Sequence, residues 1–397
     1  MRKHKSDRII GIITMFLLVL GLVVIYAIGP MRANFMNVAY GTNYSENYFF
    51  VHQLISVVMA VVTFFLVFKI PYEKIRKLSK IMIFVGILSC AALAILAAVN
   101  SPLASCQLGA CRWIKIGSVA SFQPAEFLKL GLVLYFAQLV TERKKEGKLD
   151  TNDFWIPFGV VSALSILFVV YFQQDLGSTV VIVAILMAIL LMSGIPLKKV
   201  GIVAGILLVG GVISILISPH RMERVMTFTD AENSDSYHID NALLAIGTGG
   251  FGGVGVGNTV QATGYLPESI NDSVFAVMGE TFGFLGLMLV VVCFTILLFR
   301  ILRIVEFCGE EEYGLIASGV FAWVAAHVVI NIAAMTGLFP LTGITLPLLS
   351  YGGTSMLFTA AGLGLCLQLS CYSKRKIEVL NEKKKRATTI TTRGARK

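Results

Sequence analysis

Charge is what this chain has least of. Only 14% of its 397 residues are Asp, Glu, Lys or Arg and 56% are hydrophobic, whereas soluble domains carry about 25% charged residues. An ordinary soluble domain is therefore excluded. Histidine is scarce too: the five, at positions 4, 52, 220, 238 and 327, have no spacing that would gather metal ligands. One G-x-G-x-x-G run exists, at Gly247, Gly249 and Gly252, but no strand pattern precedes it and no G-K-S/T follows, which argues against a nucleotide loop. Five of the seven cysteines lie in apolar or inner-side segments, where buried thiols are ordinary. Cys106 and Cys111, five apart in a polar connection, leave a disulfide open.

What the chain has instead is long apolar runs. About 20 such residues cross a bilayer, and ten runs qualify: 9–29, 51–68, 81–99, 124–140, 155–172, 176–195, 199–217, 272–299, 314–335 and 346–370. The 37 glycines fit packed helices, and no two-residue alternation suggests a barrel. The expected fold is an all-α integral membrane protein of about ten transmembrane helices. The first run is too long for a secretory signal core and lacks a small-residue cleavage site, so it reads as an uncleaved anchor. Of the 33 Lys and Arg, 27 fall in the two tails and the even-numbered connections. The positive-inside rule then puts both termini in the cytoplasm and a long extracytoplasmic loop, 219–271, between helices 7 and 8. The net charge of +10 is accounted for by the inner leaflet and needs no nucleic-acid partner. Residues 1–373 read as one polytopic membrane domain, and 374–397 as a basic, disordered cytoplasmic tail.

The few charges near the outer ends of spans are the functional candidates, since a charge at the membrane edge is costly to keep. Asp272 stands where the eighth run begins. Arg112 and Trp113 occupy the third connection, and QPAEFLKLG follows, with Pro124 suited to a first helical position. Glu126 and Lys129, three apart, share one helix face, either as a structural ion pair or as part of a cavity. Asp175, in QQDLGST, is held at the surface and could also cap the sixth span. Arg221 and Arg224 in PHRMERVMTF could grip phosphate as forked donors. The glycines of GTGGFGGVGVGN allow either a mobile lid or close backbone packing. Pro340, Gly343 and Pro347 interrupt an apolar stretch, the sign of broken helices around a cavity.

Taken in order, CRWIKIG, FQPAEFLKLG, QQDLGST, RMERVMTF, YLPESINDSVFAVMGE and GLFPLTGITLPLLSYGGTS resemble the SEDS family of cell-shape, division and sporulation proteins. The resemblance spans nearly the whole chain. It implies a peptidoglycan glycosyltransferase that polymerises lipid II, an undecaprenyl-diphosphate-linked disaccharide peptide, at the outer face of the cytoplasmic membrane. It also implies a class B penicillin-binding transpeptidase as partner. The family's essential aspartate aligns onto Asp272. Departures are Ser273 in place of an aromatic residue, Thr281 and Phe282 after Glu280, Asn241 in place of a loop glutamine, and Cys111.

Such a transfer needs a base for the attacking hydroxyl and positive charge for the departing diphosphate. Asp272 is the expected catalytic base. Arg112 and Lys129 are the expected diphosphate contacts, with Glu126 and Asp175 orienting them or the sugar. With the base on the face opposite the leaving group, the product is expected to have inverted anomeric configuration. A glycosidase would instead need two carboxylates flanking one bond, and Glu280 lies two turns deeper. No cofactor is required, and a Mg2+ or Mn2+ ion on the diphosphate is compatible with the chemistry. A lipid II flippase and a non-catalytic scaffold are the rival readings.

Overall fold

The structure is a computed structural model that describes residues 5–107, 110–117, 120–229 and 236–372; the expected basic tail at 374–397 lies outside them. Three helices come first, α1 (Arg8–Tyr40), α2 (Tyr48–Lys69) and α3 (Tyr72–Ala98). A small antiparallel sheet follows, β1 (Ala104–Gln107), β2 (Ala110–Ile116) and β3 (Ala120–Phe122). Next are α4 (Pro124–Lys145), α5 (Asn152–Leu167, prolonged by a π turn at Phe168–Phe172), α6 (Leu176–Ser193) and α7 (Leu197–Ile217). Two shorter helices, α8 (Pro219–Thr229) and α9 (Tyr237–Gly249), and a π turn at Gln261–Tyr265 precede the last three spans. Those are α10 (Val274–Phe307), α11 (Glu311–Met335) and α12 (Gly353–Ser370). Ten of the described helices are long and apolar enough to cross a membrane, and each coincides with one of the ten runs. The chain is a multi-pass membrane protein.

Polarity sorts the helices radially. Most of α4 and α12 is buried within the protein, whereas along α7 only Val200 is. Lipid therefore faces the most uniformly apolar helices, and the less apolar α4 and α12 are enclosed by their neighbours. Small residues permit the closest contacts, as expected where lipid removes the usual hydrophobic drive. At Gly364 of α12 a Cβ would lie 2.5 Å from the carbonyl oxygen of Phe64 on α2.

Three boundaries differ from the sequence reading. Helix α1 runs through Pro30 to Tyr40, so the first connection is confined to residues 41–47. The residues after Pro30 form helix readily once nucleated, and hydropathy alone could not see them. The twelfth helix starts at Gly353, leaving 336–352 irregular around Pro340, Gly343 and Pro347. The long seventh connection is largely helical.

The glycine-rich run meets α10 closely at Gly249 and Gly253, where an added Cβ would lie 1.9 Å from Gly279 O and 2.2 Å from Thr281 O, respectively. Gly247, Gly250, Gly252 and Gly257 have open space around them. Helix α10 breaks at Gly283, whose φ of 65° and ψ of −164° interrupt the ladder. The freed groups pair with the run: Phe284 N–H donates to Gly250 O at 2.9 Å and Val254 N–H to Glu280 O at 2.9 Å. The Glu280 carboxylate accepts from the backbone N–H groups of Val260, Gln261 and Ala262 at 2.6–2.8 Å. It is thereby committed to holding the turn that leads into Asp272. Close packing is met at Gly249 and Gly253 and leaves the remaining glycines of the run unexplained.

Gly253 tests this junction. Its φ is +81° and an added Cβ would sit 2.2 Å from Thr281 O. Overpacking costs about 1–3 kcal/mol, and a left-handed backbone adds to it. Gly253→Ala should lower the detergent-solubilised melting temperature, whereas Gly247→Ala, with open space around its Cβ, should not. Equal melting temperatures would remove the junction from the account.

Candidate active site

Asp272 sits in a turn that three elements hold from different sides. Its own carbonyl accepts from Asn331 Nδ2 of α11 at 2.7 Å, and the same amide donates to Ile344 O at 2.7 Å. Tyr351 N–H donates to Ile270 O at 2.8 Å. From α9, His238 Nε2 lies 2.7 Å from Ser273 Oγ, and that hydroxyl donates to Pro267 O at 2.8 Å. The hydroxyl proton being used on Pro267, the imidazole is the donor in the first of these bonds. Burial, opposed by the field of Glu268 and assisted by that of Arg224, pushes the His238 imidazole down to about 4. It is therefore neutral at pH 7 and fixed as an Nε2–H donor.

The Asp272 carboxylate is half-buried, and its Oδ1 is closed off from solvent without a hydrogen-bond partner. An unpaired buried carboxylate disfavours its charge. Burial, and next the charge of Glu268, push the Asp272 carboxyl up to about 7, while a backbone hydrogen bond and then Arg224 and Arg112 hold it from rising further. That is the range in which a general base is most effective near neutral pH.

Arg112 approaches from the sheet. Its Nη2 donates to Gln174 O at 3.0 Å. A Cβ built on Gly343 would lie 3.7 Å from Arg112 Nη1 and 4.0 Å from Asp272 Oδ2, so cation and carboxylate flank that glycine. Arg224 of α8 donates to Leu341 O at 3.2 Å. Burial and the neighbouring Arg112 lower its guanidinium from the ordinary value, and Asp272 and Asp175 oppose that shift. Two arginines thus share one neighbourhood with both aspartates, at the broken 341–345 segment.

Asp175 caps α6, accepting from Ser178 N–H at 2.9 Å and from Ser178 Oγ at 2.8 Å. It also accepts from Gln123 Nε2 at 3.3 Å. Glu126 and Lys129 form a separate centre between α4 and α11. Lys129 Nζ is 2.8 Å from Glu126 Oε1 and 2.9 Å from His327 Nε2, and lies 5.4 Å from the Trp323 ring centroid. Lys129 has no exposed surface. His327 Nδ1 is 3.1 Å from Thr345 O, so this inner centre touches the same broken segment as Asp272 does.

The structure therefore brings Arg112, Asp175 and Asp272 together and keeps Glu126 and Lys129 one layer inward. Sequence reasoning left His238, His327 and Asn331 out and did not rank Arg224 among the site residues. His327 and Asn331 are four apart in HVVIN, on one helix face, and that spacing was the available signal. Nothing in the sequence joins His238 to Ser273. Among the described residues no group of three or more His, Cys, Asp or Glu could hold a metal ion.

The carboxyl at about 7 has a kinetic consequence. Only the carboxylate accepts a proton, so kcat/KM should rise with pH through a limb near 7. Glu268 raises that value, so Glu268→Gln should move the limb to lower pH, and Arg224→Gln should move it higher. Limbs that stay fixed in both variants would show that Asp272 is not the titrating group.

With that geometry in place, the relatives are informative. The family model described as cell cycle protein, FtsW/RodA/SpoVE, matches residues 8–375. The chain is 30% identical over 377 residues to stage V sporulation protein E of Bacillus subtilis (strain 168), covering 94% of this chain and 99% of that one. It is 31% identical over 376 residues to a probable peptidoglycan glycosyltransferase FtsW of Nitrosomonas europaea, covering 92% and 93% respectively. Its fold is similar to a solved chain from work described as "Structural coordination of polymerization and crosslinking by a peptidoglycan synthase complex", with TM-score 0.72, 23% identity, and 92% and 97% coverage. A ten-span chain matched from its first helix to its last is a member of the FtsW/RodA/SpoVE family, the SEDS proteins that its motifs resemble.

Proposed function

We propose that this protein is a peptidoglycan glycosyltransferase that polymerises lipid II at the outer face of the cytoplasmic membrane, with Asp272 as base. The observation that carries the reading is a half-buried carboxylate, one of whose oxygens is buried without a partner, set beside two arginines at one broken segment. A relative that covers nearly the same length is named as a probable peptidoglycan glycosyltransferase.

In the reaction, the acceptor sugar's 4-hydroxyl attacks the donor's anomeric carbon. The bond from that carbon to the diphosphate oxygen breaks, and the diphosphate leaves with the electron pair. Asp272 takes the hydroxyl proton. Arg112 and Arg224 offer forked donors to the growing negative charge, which an ammonium matches less well. Attack on the face opposite the leaving group inverts the anomeric centre. Asp175 orients the cations through their shared field. Lys129, enclosed by Glu126 and His327, fixes the 341–345 segment from within, and meets substrate only in a state where α4 and α11 part. The reading needs no cofactor; a Mg2+ or Mn2+ ion that assists would be carried by the donor's diphosphate. A class B penicillin-binding transpeptidase is the proposed partner, in keeping with the synthase complex that contains the similar fold.

Purified protein in detergent, given labelled lipid II, should make glycan strands. Detergent abolishes transbilayer movement, so strand formation separates polymerisation from flipping. Loss of a general base costs about 10² to 10⁴ in rate, and Asp272→Asn should fall in that range while still binding its partner. Near-normal strand formation by Asp272→Asn would overturn the base assignment.

A further inference from the structure

The small sheet plays no part in proton transfer, yet it carries Arg112. Strands β1 and β2 have four and seven residues, and sheets of this size are marginal without support. Besides packing on α3 and α4, the sheet is tied at two ends. Thr354 Oγ1 at the start of α12 donates to Ser121 O of β3 at 2.8 Å. At the other end, Cys106 and Cys111 are register partners across β1 and β2 and are joined as a disulfide.

Arg112 is the residue after the bridge. Its side chain leaves the sheet toward Gln174 O and Gly343, while its Nε is buried without a partner. A long side chain anchored at its tip by one neutral acceptor keeps its aim only if its backbone is fixed. Among the described residues Arg112 has no cross-strand partner of its own, the register shifting between the Ser105–Trp113 and Cys106–Cys111 pairs, so the bridge holds the chain on one side of it.

We propose that the Cys106–Cys111 disulfide positions Arg112 for diphosphate binding, so that opening the bridge weakens the donor site and leaves the Asp272 turn intact. The inference rests on the reading of Arg112 as a diphosphate contact. The turn holding Asp272 takes its hydrogen bonds from Asn331, Tyr351 and the His238–Ser273 pair, none of which is in the sheet. Cys106 is exposed and Cys111 half-buried, so small reductants and oxidants reach the bridge. Disulfides persist in oxidising compartments, which agrees with a site outside the cytoplasm.

The test uses the full chain in detergent and undecaprenyl diphosphate as probe. Tris(carboxyethyl)phosphine supplies two electrons, splits the S–S bond into two thiols, and is itself converted to the phosphine oxide. Reduction should raise Kd about tenfold, the weight of one charge-assisted contact. The double variant Cys106→Ser/Cys111→Ser should bind like the reduced protein and ignore the phosphine. Arg112→Ala should raise Kd to a similar degree and abolish the response to reduction. With lipid II as substrate, reduction should lower kcat/KM about tenfold, with kcat falling as well as KM rising, because Arg112 faces charge that grows as the diphosphate leaves. An unchanged Kd on reduction, a response that persists in Arg112→Ala, or free thiols at both positions in the oxidised preparation would each overturn the proposal. Absence of glycan strands would overturn the polymerase reading, and the binding measurements would still decide the role of the bridge.

Discussion

The structure depends on the cost of keeping Asp272 charged at the edge of a membrane. A carboxylate in that setting neutralises unless cations or hydrogen bonds favour its ionised form. Here neither side wins outright. Burial and Glu268 push its proton affinity up, a backbone hydrogen bond and then Arg224 and Arg112 pull it down, and the balance falls at about 7. Had the arginines donated directly to both oxygens, the group would be a fixed ion pair and a poor base. Instead Arg112 donates to Gln174 O and Arg224 to Leu341 O, and Arg112 Nε has no partner among the described residues.

The rest of the fold can be understood as support for that balance. The irregular segment 341–351 touches Asn331, His327, Arg224 and the Asp272 turn. The carbonyls of Leu341, Ile344 and Thr345 meet the side chains and Tyr351 N–H donates to Ile270 O, so backbone that a helix would satisfy internally is available to fix the site. Such backbone is tolerated at this depth only where protein surrounds it, and α1 supplies part of that cover: at Gly21 a Cβ would lie 2.7 Å from Leu349 O. From the other direction, Glu280 gathers three amides into the turn before Asp272. A buried ion pair, Glu126 with Lys129, sits behind both. Such pairs seldom add stability over apolar packing, and this one fixes His327 and, through it, Thr345.

Much of this was legible in the sequence. Ten apolar runs gave ten spans because hydrocarbon thickness sets their length, and the interruption at Pro340, Gly343 and Pro347 marked the broken segment. Asp272, Arg112 and Asp175 stood out because charges are rare here. Long-range pairings were not legible. Glu126 and Lys129 showed their spacing, but their burial depends on α11 packing against α4. The seven glycines from Gly247 to Gly257 allowed a lid or a close contact, and that Gly249 and Gly253 are the two that meet α10 depends on the distant break at Gly283. His238 reaches Ser273 across 35 residues, and no local pattern announces such a contact.

The central claim is that Asp272 changes protonation near neutral pH because of where it is held. Infrared difference spectra of the detergent-solubilised protein, titrated across the range and referred to Asp272→Asn, isolate the carboxylic acid C=O band of this residue. The account expects a band that disappears with a midpoint near 7. A midpoint near the ordinary aspartate value of about 3.9, or spectra identical in wild type and Asp272→Asn, would contradict it.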